Sequence, residues 1–103
     1  MVSDLYKIEA TDKSMTFNEL LEEHSKGLSM AIVEKIAYAI ENNIRKIDIA
    51  EIFTGSVTIT LHSNSRNYRE TLQSNLENLI KHEAYEMCAV AKKALEALDK
   101  KKA

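Results

Sequence analysis

The run from Leu28 to Ile44, LSMAIVEKIAYAIENNI, constrains the fold of this chain more than any other stretch. Ile32, Val33, Ile36, Ala37, Ile40 and Ile44 recur by three and four, a spacing that stacks them on one face of a helix. Met30, Ala31 and Ala39 widen the stripe beyond the usual amphipathic arc, and Glu34, Lys35, Glu41, Asn42 and Arg45 mark the wet side. A helix this apolar needs several neighbours to cover it. At roughly 1.5–3 kcal/mol per buried large aliphatic side chain, its isoleucines alone supply a sizeable share of a core. The alternative to a core is a face for self-association, and in a short chain both uses are compatible.

The segments on either side supply those neighbours. Leu5, Tyr6 and Ile8 form a short strand or lie over the core. Thr16 and Glu19 make a T-x-x-E capping box, with Met15 and Leu20 placed for a hydrophobic staple. A first helix is therefore expected from Phe17 to about Lys26, stopped by Gly27. After Ile44 the period changes to two. Val57, Ile59 and Leu61 alternate with Thr58, Thr60 and His62, the clearest strand in the chain. Residues 47–53 are less regular, and Asp48 and Glu51 also suit one helical turn. The favoured reading is an antiparallel hairpin, 47–53 with 57–62, turning at Thr54-Gly55-Ser56. Two strands are marginal alone, so a third is expected from residues 4–9 or from another subunit. Asn67 and Glu70 then resemble a second capping signal. Tyr68, Leu72, Leu76, Leu79 and Ile80 make one apolar stripe, and Tyr85, Cys88, Ala91 or Lys92, Leu95 and Leu98 another. These predict antiparallel helices over 66–81 and 84–100 joined by a tight turn, the second ending on Lys100–Lys102 as suits a helix C-terminus. The expected fold is α+β. It has four helices and a small antiparallel β-hairpin in one domain, 1–103, and ends in a helical hairpin over 66–100.

Within that hairpin the segment LIKHEAYEMCAVAKKAL, residues 79–95, resembles the UVR motif. In that family an aromatic–Glu pair follows a tight turn, and a pair of small residues comes next. Tyr85-Glu86 and Cys88-Ala89 stand at those places, and Leu95 at the later aliphatic position. The sequence departs at Ala91-Lys92-Lys93, where the family has an aliphatic–Arg–acidic run. The resemblance implies a hairpin for protein–protein contact, as in nucleotide-excision-repair subunits and protein-quality-control regulators, with the small residues letting helices approach and the aromatic ring closing the turn.

Charge and composition narrow the function classes. Residues 1–53 carry 6 Lys/Arg and 10 Asp/Glu, and residues 54–103 carry 8 and 6, so the chain is not a uniformly basic nucleic-acid clamp. The single cysteine, Cys88, cannot form an intrachain disulfide and fits a reducing, cytoplasmic setting. No signal-peptide pattern opens the sequence and no apolar run is long enough to span a bilayer, so no membrane role is expected. His82-Glu83-x-x-Glu86 lacks the second histidine of a zinc helix. His24 reads as a helix-face residue, and Cys88 as a small buried one rather than a nucleophile. No catalytic set, metal site or cofactor is implied.

One polar cluster stands out: His62, Asn64, Arg66, Asn67 and Arg69 bracket the loop after the clear strand, with Tyr68 expected to point inward. Arginines beside a helix start suit an anionic partner. Taken together, the sequence reads as a non-enzymatic binding or regulatory module acting by protein–protein contact, as a homodimer. The expected interface is the C-terminal hairpin at Cys88, Ala89, Leu95 and Leu98, with the strand edge as second choice. The alternative is a nucleic-acid-binding protein that uses residues 62–69.

Overall fold

A computed structural model describes residues 5–9, 16–54 and 57–102 of the chain. The elements follow the order β1 (Tyr6–Glu9), α1 (Phe17–Glu23), α2 (Ser25–Glu41), β2 (Lys46–Thr54), β3 (Val57–Asn64), α3 (Tyr68–Lys81) and α4 (Tyr85–Lys102). The α+β class and the terminal helical hairpin are as the sequence predicts. The strands form one sheet in the order β1-β2-β3. β2 and β3 are the antiparallel hairpin, and β1 lies parallel to β2, with Tyr6 beside Ala50 and Ile8 beside Ile52. A parallel pair requires a long crossover, and α1 with α2 provide it. The third strand thus comes from this chain's own N-terminal segment.

A bulge between Asp48 and Ala50 interrupts the β2 register. It places Ile49 and Ala50, consecutive in sequence, both in the interior. Beyond the bulge the faces alternate. Ile8, Ala50, Ile52, Ile59 and Leu61 share the side that carries the apolar packing. Lys7, Glu9, Glu51, Thr58 and Thr60 share the other.

α2 is the shared element, packing on β2 and on both α3 and α4. Val33, Ile36, Ala39 and Ile40 are buried in the larger core, together with Tyr68, Leu72, Leu79, Cys88, Ala91 and Ala94. A smaller core joins Ile8, Leu20 and Ile52, and Tyr6, Leu28 and Leu61 touch both. The wet side of α2 differs from expectation at Lys35, which is only 4 % exposed while Glu34 and Glu41 are exposed. A lysine stem is four methylenes long and can be covered like an aliphatic side chain.

The Thr16 half of the capping box forms: Thr16 Oγ1 accepts the Glu19 backbone N–H at 3.1 Å, and its hydroxyl donates to the Glu19 carboxylate. Met15, the other half of the expected staple, lies outside the described residues, as does the turn at 55–56. The helix boundary moves, however. α1 stops at Glu23, His24 breaks the chain at φ −97° and ψ 14°, and α2 starts at Ser25. Gly27 is therefore no stop but part of the first turns of α2. A β-carbon there would meet the Tyr6 hydroxyl and lie 3.1 Å from its Cζ. The glycine is needed for the close approach of β1's first side chain.

The turns that end α2 and α3 close in the same way. Asn43 has φ 56°, with Asn43 N–H bonded to Ile40 O at 3.3 Å and Ile44 N–H to Ala39 O at 2.8 Å. Glu83 has φ 57°, with Glu83 N–H bonded to Ile80 O and Ala84 N–H to Leu79 O, each at 3.0 Å. Each is the left-handed cap that satisfies the last helical carbonyls.

Candidate functional site

The polar loop after β3 is held by its own backbone. Asn64 accepts the Arg66 N–H on its side-chain Oδ1 at 3.1 Å and the Asn67 N–H on its main-chain oxygen at 2.9 Å. Ser65 N–H reaches Arg45 O at 2.7 Å, tying the loop to the start of β2. Asn67 precedes α3 but makes no side-chain cap bond, and its backbone is already helical rather than extended as an N-cap's is. The Asn64 turn, at the last residue of β3, instead orders the loop that leads into α3.

The loop's candidate binding residues separate in space. His62 is exposed on the open sheet face, opposite Asp48 in the β2–β3 register. Arg66 is exposed, but Arg69 turns to α4 and forms an ion pair with Asp99. Tyr68 is 2 % exposed and donates its hydroxyl to Ile44 O at 2.9 Å. Burial raises its pKa above the ordinary value of 10.0, since the phenolate would lose its water. Tyr68 also walls a shallow basin of about 340 Å³ shared with Ile40, Asn43, Arg45, Ser65 and Leu98.

On the hairpin, Cys88 is buried in the main core, Leu95 and Leu98 pack half-buried against that core, and Ala89 is exposed. Tyr85 is 64 % exposed, and the turn is closed by the backbone bonds at Glu83 and Ala84 instead of by its ring. The hairpin is anchored to α2 through a polar seam. Ser29 donates to Asn75 Oδ1 at 2.8 Å, and Asn78 Nδ2 donates to Ser29 Oγ at 2.8 Å and to Ser25 Oγ at 2.9 Å. Those four polar groups sit between helices and satisfy one another.

An open groove of about 400 Å³ runs between α2 and α4. Its floor and walls are Ala37, Ile40, Val90, Ala94 and Ala97, with Glu41 and Lys93 at its rim. Val90 is 36 % exposed there. Sequence reasoning passed over Val90, Ala94 and Ala97 in favour of the larger leucines. The signal was the spacing of four and three on one face of α4, and small residues at such spacing leave a trough.

Among the described residues no three His, Cys, Asp or Glu side chains gather as a metal site, and no helix is long and apolar enough to cross a membrane. Arrangement and fold together define a class, a three-stranded α+β domain whose C-terminal hairpin packs on a central helix. The chain matches no protein-family model, curated protein or solved structure.

Proposed function

We propose that this chain is a small non-enzymatic binding module, regulatory in role, that acts through protein–protein contact and works as a homo-oligomer in the cytoplasm. The observation that carries the reading is the α2–α4 groove. It is apolar along its floor, edged by one acidic and one basic side chain, and lined by alanines that allow a partner's backbone to come close. That lining suits the apolar stripe of one amphipathic helix of a protein partner, which would cover Val90. The resemblance of residues 79–95 to the UVR motif supports the same use.

The test compares wild type with Val90→Glu as bait in capture from the source cell, followed by identification of what is retained. A specific protein held by wild type and lost by the variant is expected. If the same proteins stay on both baits, the groove is not the recognition surface.

The nucleic-acid reading keeps one observation in its favour: the Ser65–Arg45 backbone bond sets the segment of Arg45 and Lys46 beside the loop of Arg66. It is weakened by the engagement of Arg69 with Asp99. A mobility shift with single-stranded and duplex probes decides it. Binding that falls steeply with salt and is lost in Arg66→Glu supports this alternative, and no shift at low salt removes it.

A further inference from the structure

The two edges of the sheet are built differently. β1 is four residues long and carries exposed Lys7 and Glu9, the short, charged kind of edge that resists pairing with another chain. β3 is eight residues long, VTITLHSN, with no Lys, Arg, Asp, Glu or Pro. The bulge lies on β2, so β3 has no irregularity of its own to spoil an added strand. Among the described strands β3 pairs only with β2. Along it Val57 is 54 % exposed, and Ile59 and Leu61 are only half-buried.

From this contrast we infer that the outer edge of β3 pairs antiparallel with β3 of a second copy of the chain, joining two three-stranded sheets into one of six strands. The inference rests on the homo-oligomer reading above and names its surface. Antiparallel partners carry their side chains on the same face. With the two-fold axis at Thr60, Ile59 meets Leu61 of the second copy, Thr58 meets His62, Val57 meets Ser63 and Thr60 meets itself. Val57, Ile59 and Leu61 thus share one face, with Ser63 as its one polar member, and Thr58, Thr60 and His62 share the other. No carboxylate or ammonium is brought against its like. Moving the axis to Leu61 sets Ile59 against Ser63, and moving it to Ile59 shortens the ladder. The pairing is also closed: it uses up both unprotected edges and leaves the short, charged β1 strands at the two ends. A foreign peptide on β3 would leave a new edge exposed, and so the occupant is a second copy. The α2–α4 groove stays free for its own partner.

The experiment is sedimentation at micromolar concentration, with far-UV circular dichroism on each variant to report folding. Wild type is expected at twice the 11.7 kDa chain mass. Thr60→Lys, at an exposed position, sets two ammonium groups face to face and is expected to run at the single-chain mass with an unchanged helical spectrum. Mixing Thr60→Lys with Thr60→Glu is expected to restore the doubled mass. As a second measurement, oxidation of Thr60→Cys is expected to give a covalent dimer faster than Glu96→Cys does. A Thr60→Lys chain that remains dimeric, or no faster cross-linking at position 60, overturns the β3 pairing. If Val90→Glu halves the mass while Thr60→Lys leaves it doubled, the dimer stands and its surface is the helical groove. A wild type at the single-chain mass overturns both the pairing and the homo-oligomer.

Discussion

The hydroxyl of Tyr68 donates to the main-chain carbonyl of Ile44 across 2.9 Å, joining the first residue of α3 to the residue that follows the left-handed cap of α2. One bond therefore ties the end of the central helix to the start of the C-terminal hairpin. Removing only the hydroxyl, in Tyr68→Phe, leaves that carbonyl unpaired beside a buried ring. A loss of about 1–2 kcal/mol in chemical denaturation is expected. The same residue predicts an alkaline limb. Its pKa is raised by burial in the folded chain, so the unfolded chain ionises first as pH rises past 10.0. The stabilisation is whole below that pH and is lost above it as pH climbs toward the folded pKa. Wild type should therefore lose its advantage over Tyr68→Phe at high pH, and parallel stability curves for the two proteins would show that Tyr68 does not titrate from a buried state.

Tyr6 and Gly27 predict an energetic coupling. Alanine is a better helix former than glycine by about 1 kcal/mol, but its β-carbon would displace the Tyr6 ring, whose hydroxyl also lies 3.3 Å from His24 Nδ1. Gly27→Ala should therefore fail to stabilise the wild type, and should do better once Tyr6→Phe has removed the closest atom. A double-mutant cycle is expected to give a coupling of about 1 kcal/mol, whereas simple additivity would mean the ring moves aside freely.

Glu83 sits at φ 57° with a β-carbon that disfavours this region. Glu83→Gly should stabilise the chain by about 0.5–1 kcal/mol, read as a rise in melting temperature. Asn43, at the equivalent place after α2, is already among the residues that tolerate it, and Asn43→Gly should change little. A drop in stability for Glu83→Gly would mean the glutamate makes a contribution beyond its backbone.

The polar seam predicts a cost out of proportion to its size. Ser29→Ala removes one hydroxyl yet strips a partner from both Asn75 and Asn78. A loss of about 1–3 kcal/mol is expected from leaving those amides underused between helices. Replacing Asn78 with Ala should cost a similar amount, and the two substitutions together less than their sum. Full additivity in denaturation would show that the hydroxyl and the amide act independently.

Much of the fold is legible in local pattern. The spacing of Ile32, Val33, Ile36 and Ile40 announces α2, the alternation from Val57 to Leu61 announces β3, and Thr16 with Glu19 announces the start of α1. The misreadings fall where a distant residue decides. Gly27 looks like a helix stop until Tyr6 is brought against it. Lys35 looks wet until its neighbours cover its stem. Arg69 looks available to an anion until Asp99, thirty positions away, takes it. Asn67 looks like a cap, but its backbone is already helical and its side chain makes no cap bond.

By itself the sequence determined α2, β3 and the two helices of the C-terminal hairpin, because helical and strand periodicity and end caps are set by residues within a turn or two of one another, while β1 and β2 stayed open to a second reading. It also determined the apolar face of each element, and with it the α+β class. Tertiary structure alone decided how those faces meet: β1 parallel to β2, the bulge that buries Ile49 beside Ala50, and the open trough between α2 and α4. Each of these depends on bringing together residues far apart in the chain. Strand register and helix approach follow from which contacts fill space best, and no local stretch carries that information.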